Sequence, residues 1–291
     1  MYAITGITGK VGGAVADALL ASGQPVRAVV RSAGRARNWA ARGCTVAVAD
    51  MADAAALTAA FTGADAVFVL PPPVFDPAPG FPEARAVIDA VRTALLAARP
   101  RRIVSLSTIG AQAAETNLLS QHTLMEQALA GLPMPLTILR PGWFMENASW
   151  DIAAAREHGV LSSFLQPLDK PVPMVATADV GRVAAELLQQ DRAGQRIVEL
   201  EGPQRVTPND IAAALTRVLE RPVHAKEVSR DTWEVLFRFQ GMRHPEARIR
   251  MLDGFNEGWI DFEAGPNHRM RGRVSLETVL RGLVEGSGAA E

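Results

Sequence analysis

The run Gly6-Ile7-Thr8-Gly9-Lys10-Val11-Gly12 constrains this chain more than any other segment. It follows a short apolar start, Met1 to Ile4, and opens a helical stretch. A strand that ends in a glycine turn and feeds a helix turns unpaired N–H groups and a favourable dipole toward an anion. In such a turn Gly6 permits the tight bend, Gly9 admits a pyrophosphate to the backbone, and Gly12 lets the helix sit close to the strand. Thr8, Lys10 and Val11 belong to the same cradle. The spacing is G-x-x-G-x-x-G rather than G-x-G-x-x-G, and alone it also fits an ordinary strand–turn–helix with incidental glycines. A P-loop is excluded. Two residues, not four, separate Gly6 from Gly9, and Val11 rather than Ser or Thr follows Lys10.

The next strands sharpen the reading. Val26 to Arg31 forms a second strand whose end falls where a dinucleotide fold meets the ribose. An acidic residue there would bind a 2′-hydroxyl. This chain has Arg31, with Arg35 and Arg37 behind it. A guanidinium suits a 2′-phosphate, so the expected cofactor is NADP(H) rather than NAD(H). The competing reading is an exposed loop solvated by arginines. A third strand, Thr45 to Ala49, runs into Asp50-Met51, a candidate adenine edge. A fourth, Ala66 to Leu70, meets Pro71-Pro72-Pro73. Prolines cannot continue a ladder. Leu70 and Pro71 therefore start a stiff wall at the carboxyl end of the sheet, where doubly wound folds bind ligands.

Strand and helix keep alternating. Glu83 to Ala98 is helical, Arg102 to Ser107 a fifth strand, Asn117 to Leu132 a helix, and Leu136 to Leu139 a sixth strand stopped by Arg140-Pro141-Gly142. This pattern predicts a doubly wound parallel-sheet α/β Rossmann fold. Beyond Trp143 the alternation weakens. Strands are expected at Pro171 to Ala176 and Ile197 to Leu200, and helices at Thr177 to Gln189, from Thr207-Pro208 and from Ser275. The expected division is a cofactor domain over 1–145, to which elements around 171–202 return, and a smaller, mostly helical substrate region over 146–291. Bulky residues between Arg230 and Met270 either line an apolar pocket or form the core of a helical cap. The tail 286–291 is expected to be disordered.

Composition excludes other classes. Of 291 residues, 48% are apolar, ample for a core, and the net charge is −1. No basic tract supports nucleic-acid binding. Cys44 is the single cysteine, so no disulfide forms within the chain and cysteine metal clusters are excluded; no metal site is expected. No apolar run reaches transmembrane length and no signal peptide is evident, so no membrane role is expected and the cytoplasm is the expected compartment.

The glycine turn, Arg31, Ser105-Leu106-Ser107-Thr108 and the run Leu139-Arg140-Pro141-Gly142-Trp143-Phe144-Met145-Glu146-Asn147 together resemble the NmrA-like family of atypical short-chain dehydrogenases/reductases. The likeness covers the first ~190 residues well and the rest loosely. It implies a seven-stranded Rossmann domain, NADP(H), and a smaller C-terminal part that closes a cleft. Members are either reductases of quinones, imines, dyes or lignan-like compounds, or non-catalytic sensors of cofactor redox state that bind a regulatory protein.

The chain departs from the wider superfamily at the Tyr-x-x-x-Lys pair, in which tyrosine gives a proton and lysine holds the ribose. Its one tyrosine, Tyr2, lies in the first strand. Aligning Glu126 with the glutamate that usually follows the pair puts Leu118 at the tyrosine position and His122 at the lysine position. Phenol-mediated alcohol oxidation is excluded. His122 either faces the cofactor, holding a ribose hydroxyl or donating a proton as the catalytic candidate, or packs against Glu126. Ser107 is assigned to the cofactor and Thr108 to substrate, against a capping alternative for both. Pro141, Gly142 and Trp143 are assigned to the cofactor, with Phe144 and Asn147 toward substrate; Asn147 could instead cap a following helix. Two functions fit: an NADP(H)-dependent reductase of a small, uncharged conjugated or aromatic substrate (quinone, enone, imine or carbonyl), or an NADP(H) redox sensor acting on a partner protein.

Overall fold

A computed structural model describes residues 1–288. The chain opens with β1 (Tyr2–Ile4), the glycine turn and α1 (Lys10–Ala21). There follow β2 (Val26–Val30), α2 (Arg37–Ala41), β3 (Thr45–Val48), α3 (Ala54–Phe61), β4 (Ala66–Val69), α4 (Pro82–Ala98), β5 (Arg102–Leu106), α5 (Ser120–Leu129) and β6 (Leu136–Pro141). The second half adds β7 (Trp143–Phe144), α6 (Ile152–His158), β8 (Val160–Ser163), β9 (Met174–Val175), α7 (Thr177–Gln189), β10 (Gln195–Glu201), α8 (Pro208–Leu219), β11 (His224–Glu227), α9 (Trp233–Phe239), α10 (Glu246–Glu257), β12 (Met270–Arg271) and α11 (Leu276–Gly288).

One parallel sheet has the order β12-β10-β6-β5-β4-β1-β2-β3. The order switches direction beside β1 and β4, which opens the ligand crevice of a doubly wound fold. The sheet has eight strands, not the seven that the family resemblance implies. The extra edge strand β12 pairs with Leu200–Glu201 because buried Glu201 draws both Arg269 and Arg271 to it.

Other boundaries also moved. β6 continues through Arg140 and Pro141, which pair with Glu199 and Leu200 of β10. The proline gives up only a donor there, and its carbonyl still accepts from the Ile109 N–H at 2.8 Å. α5 is shorter than expected because Asn117 folds back locally. Its Oδ1 accepts from the Leu119 N–H and its own N–H donates to Ser120 Oγ, a side-chain alternative to helix bonding. The expected disordered tail begins too early: α11 runs through Gly288, held by the apolar face of Leu276 and Leu280. Residues 289–291 lie outside the described residues.

Two apolar layers sandwich the sheet. α1 and α7 cover one face, with Val15, Leu19, Val180 and Leu187 among the buried contacts. α3, α4 and α5 cover the other through Phe61, Val91, Leu95 and Leu129. A third core lies in the C-terminal region, where Trp233, Phe237, Met251 and Phe255 are buried. Most bulky residues of 230–270 therefore pack a core, and Val235 and Phe239 point outward.

α1 and α7 meet without a gap. A Cβ on Gly181 would lie 2.3 Å from Ala14 Cβ and 2.6 Å from its carbonyl carbon. Gly181→Leu should lower stability by about 1–3 kcal/mol, seen as a lower urea midpoint at unchanged slope. An unchanged midpoint would show that the two helices separate without cost.

Candidate functional site

The glycine turn is fixed from beneath by Thr5. Its hydroxyl donates to the Phe68 carbonyl (3.1 Å) and accepts from the Leu70 N–H (2.7 Å), which binds the ends of β1 and β4 together. Gly6 has φ +63°, and a Cβ there would lie 2.4 Å from Leu70 Cδ2. A Cβ on Gly12 would lie 2.3 Å from the Gly6 carbonyl oxygen. The fold itself demands glycine at both positions. It makes no such demand at Gly9, where φ is −95° and a Cβ would make only an ordinary 3.4 Å contact. Thr8, Gly9 and Lys10 are exposed, and Val11 is buried. α1 starts with neither a side-chain cap nor an acidic residue in its first turn. Its first N–H groups are thus left for an external anion.

Arg31 and Arg35 follow β2 and are exposed, and no ion pair or side-chain hydrogen bond involves either among the described residues. After β3, Asp50 is occupied locally, its carboxylate accepting from the Ala52 N–H at 2.9 Å, and Met51 is half-buried. After β4, Leu70 and Pro71 are half-buried, and Leu70 lies over the turn. These residues share the carboxyl edge of the sheet.

At the ends of β5 and β6 the structure gathers a charged cluster that sequence inspection left unassembled. The Arg140 side chain is only 4% exposed. It donates to Glu126 through Nε (2.8 Å) and Nη2 (2.6 Å), a bidentate pair, and to Gln112 at 3.3 Å. It also pairs with Glu263. Burial alone would depress the guanidinium pKa, but the two carboxylates outweigh it and raise it. Ser107 is buried and donates to the same Glu126 carboxylate. The visible signal was a lone charge inside the otherwise uncharged strand Leu136–Pro141.

His122 lies one helical turn before Glu126. Its Nδ1 is buried and has no hydrogen-bond partner. Burial lowers the imidazole pKa to about 4, against the opposing influence of Glu126 and the Leu106 backbone. His122 is neutral at pH 7. Leu118 is buried in the C-terminal core and its N–H donates to the Ala247 carbonyl. Thr108 is half-buried beyond β5.

The segment after β6 splits its side chains. Gly142 donates to the Leu200 carbonyl at 2.9 Å, and buried Pro141 precedes it. In β7, Trp143 turns to the C-terminal core and meets Phe255 edge to face at 5.2 Å, while Phe144 packs under the sheet beside α7. Glu146 was not singled out from sequence. Its Oε1 accepts from the N–H (2.8 Å) and hydroxyl (2.6 Å) of Thr177 and so caps α7. Asn147 sits in a 3-10 turn, Met145–Trp150, and its side chain has no hydrogen bond among the described residues. It caps no helix, because Asp151 precedes α6.

An anion cradle, unpaired arginines after the second strand and a crevice at the strand switch define a dinucleotide-binding Rossmann protein. The NAD(P)H-binding family model matches residues 6–191, and the chain belongs to that family, within its NmrA-like group of atypical short-chain dehydrogenases/reductases. It is 30% identical to quinone oxidoreductase 2 of Escherichia coli (strain K12), over 87% of this chain and 85% of that one. It is 31% identical to the NAD(P)H azoreductase of Xenophilus azovorans, over 88% and 85% of the two chains. The crystal structure of the E. coli NADPH-dependent quinone oxidoreductase complexed with NADPH superposes with a TM-score of 0.77 at 26% identity, covering 100% of this chain and 99% of that one. Among the described residues no helix is long and apolar enough to cross a membrane.

The depressed His122 pKa has a signed consequence for stability. Between its ordinary value of 6.5 and about 4, the unfolded chain takes up a proton that the folded protein refuses. Stability from this residue is present above pH 6.5 and lost as pH falls through that window. Relative to His122→Gln, the unaltered protein should lose about 2 kcal/mol between pH 7 and pH 5, read from urea midpoints. Parallel pH dependences for the two proteins would contradict an imidazole held neutral by the fold.

Proposed function

We propose that this protein is an NADP(H)-dependent reductase of small, uncharged conjugated or aromatic acceptors, with quinones first among them. One observation supports the cofactor assignment most: glycine at position 9 meets no requirement of the fold, yet it stands at the uncapped start of α1. Thr8, Gly9, Lys10 and the first turn of α1 would hold the pyrophosphate. Arg31 and Arg35 would hold the 2′-phosphate, with Asp50, Met51, Leu70 and Pro71 along the adenosine side. His122 Nδ1, an acceptor in need of a donor, suits a ribose hydroxyl. Ser107, Pro141 and Gly142 would border the nicotinamide, and Thr108 and Asn147 the substrate; Trp143 and Phe144, whose rings pack into the C-terminal and α1/α7 cores, would support that segment from behind.

When bound, NADPH supplies a hydride. The chain's own contribution is positional. With no tyrosine at the proton-donating position and a neutral His122, the site lacks a ready acid at pH 7. That suits an acceptor whose reduced oxygen or nitrogen takes its proton from water. A quinone meets this condition and a simple ketone does not. The names of the E. coli and Xenophilus relatives point the same way.

Loss of NADPH absorbance on adding benzoquinone or naphthoquinone tests the reading, and steady turnover is expected. NADPH binding without turnover of any quinone, enone, imine or carbonyl would instead favour a redox sensor with a protein partner. NADPH should bind more tightly than NADH. Arg31→Ala should remove most of that preference, roughly ten- to a hundredfold, the size of one charge-assisted bond, and leave NADH affinity unchanged. Equal affinities in the unaltered protein would overturn the 2′-phosphate assignment. Gly9→Val should abolish binding of both dinucleotides while its urea midpoint stays within error of the original. Retained binding would move the phosphate site elsewhere.

A further inference from the structure

The loop between β4 and α4 is rooted on the glycine turn. The Leu70 N–H donates to Thr5 Oγ1, and the Leu70 side chain fills the space that a Cβ on Gly6 would need. Pro71-Pro72-Pro73 follows as an arm that joins neither helix nor ladder. Such an arm advances about 3.1 Å per residue, so it carries the chain about 12 Å from the turn to Val74. There the Val74 carbonyl accepts from Gln121 Nε2 at 3.0 Å. Gln121 is the chain neighbour of His122. The arm therefore runs from the phosphate cradle to the helix whose histidine suits the ribose.

The tip of the loop is clasped by the C-terminal region. Asp76 accepts from the N–H groups of Arg243 (2.8 Å) and His244 (2.7 Å), one to each carboxylate oxygen, between α9 and α10. Phe75 also meets Trp150 of the 3-10 turn after β6, with ring centroids 6.3 Å apart, but both rings are largely exposed and this contact adds little. Little else holds the loop. Among the described residues no backbone N–H from Pro71 to Gly80 donates a hydrogen bond, and within that stretch only Pro77 is buried. The far end is a left-handed pair, Gly80 (φ +81°) and Phe81 (φ +57°). That conformation strains a residue with a side chain, and the buried Phe81 ring holds it at the start of α4. A segment with so few bonds of its own opens at low free-energy cost, and the left-handed pair can absorb the change of backbone angle.

We propose that residues 71–80 form a lid over the crevice, latched by the Asp76 carboxylate onto the backbone of Arg243 and His244, which must open for the dinucleotide to enter or leave. This rests on the cofactor reading and adds to it a gate on exchange. The triple-proline arm makes the lid swing as a unit, and Asp76 is a positioning residue that touches no reacting atom. The latch is closed in the protein without ligand, so it slows entry as well as exit.

The experiment is stopped-flow measurement of NADPH binding and of its displacement by excess NADP⁺, in the unaltered protein, Asp76→Asn and Asp76→Ala. Asp76→Ala should raise the association and release rates together, each roughly tenfold, and leave Kd within about threefold. Asp76→Asn keeps one acceptor oxygen and should fall between the two. A faster release with unchanged association would make Asp76 a support of the bound state only and overturn the gate. Unchanged rates in both variants would overturn it as well. If the unaltered protein binds no NADPH, the cofactor reading fails separately, and the latch is then read by hydrogen exchange. Arg243 and His244 amides that are protected in the unaltered protein and lose protection in Asp76→Ala support the latch. Amides that exchange equally fast in both overturn it.

Discussion

The enclosed guanidinium of Arg140 organises the business end of this molecule. It sits inside β6 and is held by Glu126 of α5, Gln112 of the loop after β5 and Glu263 of the C-terminal region. Removing one partner of such a buried pair strands the other charge, at a cost of about 3–5 kcal/mol. The pair therefore fixes geometry more than it adds net stability. The chain of contacts continues outward. Gln112 donates to the Asp261 carbonyl, Arg205 grips the Asp261 carboxylate with two bonds, and buried Glu199 accepts from the N–H groups of Glu263 and Ala264. The C-terminal segment is bolted to the sheet edge by charge rather than by apolar packing alone, and the eighth strand is part of that fastening.

The same pair sets the electrostatics beside the expected nicotinamide position. Glu126, paired with Arg140, favours a protonated His122, but desolvation opposes it more strongly. Burial then decides, and the imidazole stays neutral. Where the wider superfamily places a tyrosine and a cationic lysine, this chain presents a buried leucine and a neutral histidine with one unpaired nitrogen. A site built this way suits orienting a dinucleotide, but it offers no strong acid at pH 7. On the proposed reductase reading, that restriction favours acceptors that are protonated by solvent.

Much of this was legible in the sequence because its causes are local. Strands β1 to β5 are short apolar runs bounded by turns, and each was placed to within a residue or so at its ends. Gly6 and Gly12 were read correctly as steric necessities, since a turn and a close helix need only neighbouring residues to explain them. The illegible parts depend on residues far apart in the chain. Arg140 read as a strand stop, because nothing nearby shows that Glu126 and Glu263 neutralise it. β12 was missed because two residues form a strand only when Glu201 waits beside them. The meeting of Phe75 with Trp150 was invisible for the same reason, and so was the clasp of Asp76 on residues 243 and 244.

The central claim is that the chain positions a hydride acceptor without supplying its proton. The most direct measurement is kcat for naphthoquinone reduction by saturating NADPH across pH 5.5 to 9, in the unaltered protein and in His122→Gln. The account predicts that the two profiles have the same shape, with no loss of rate centred near the ordinary imidazole value. Any shallow step from Asp151, whose carboxyl burial pushes up to about 6, should persist in both. A rate that falls as pH rises through about 6.5 in the unaltered protein, and that becomes flat and roughly 10²-fold lower in His122→Gln, would contradict it and make His122 the proton donor.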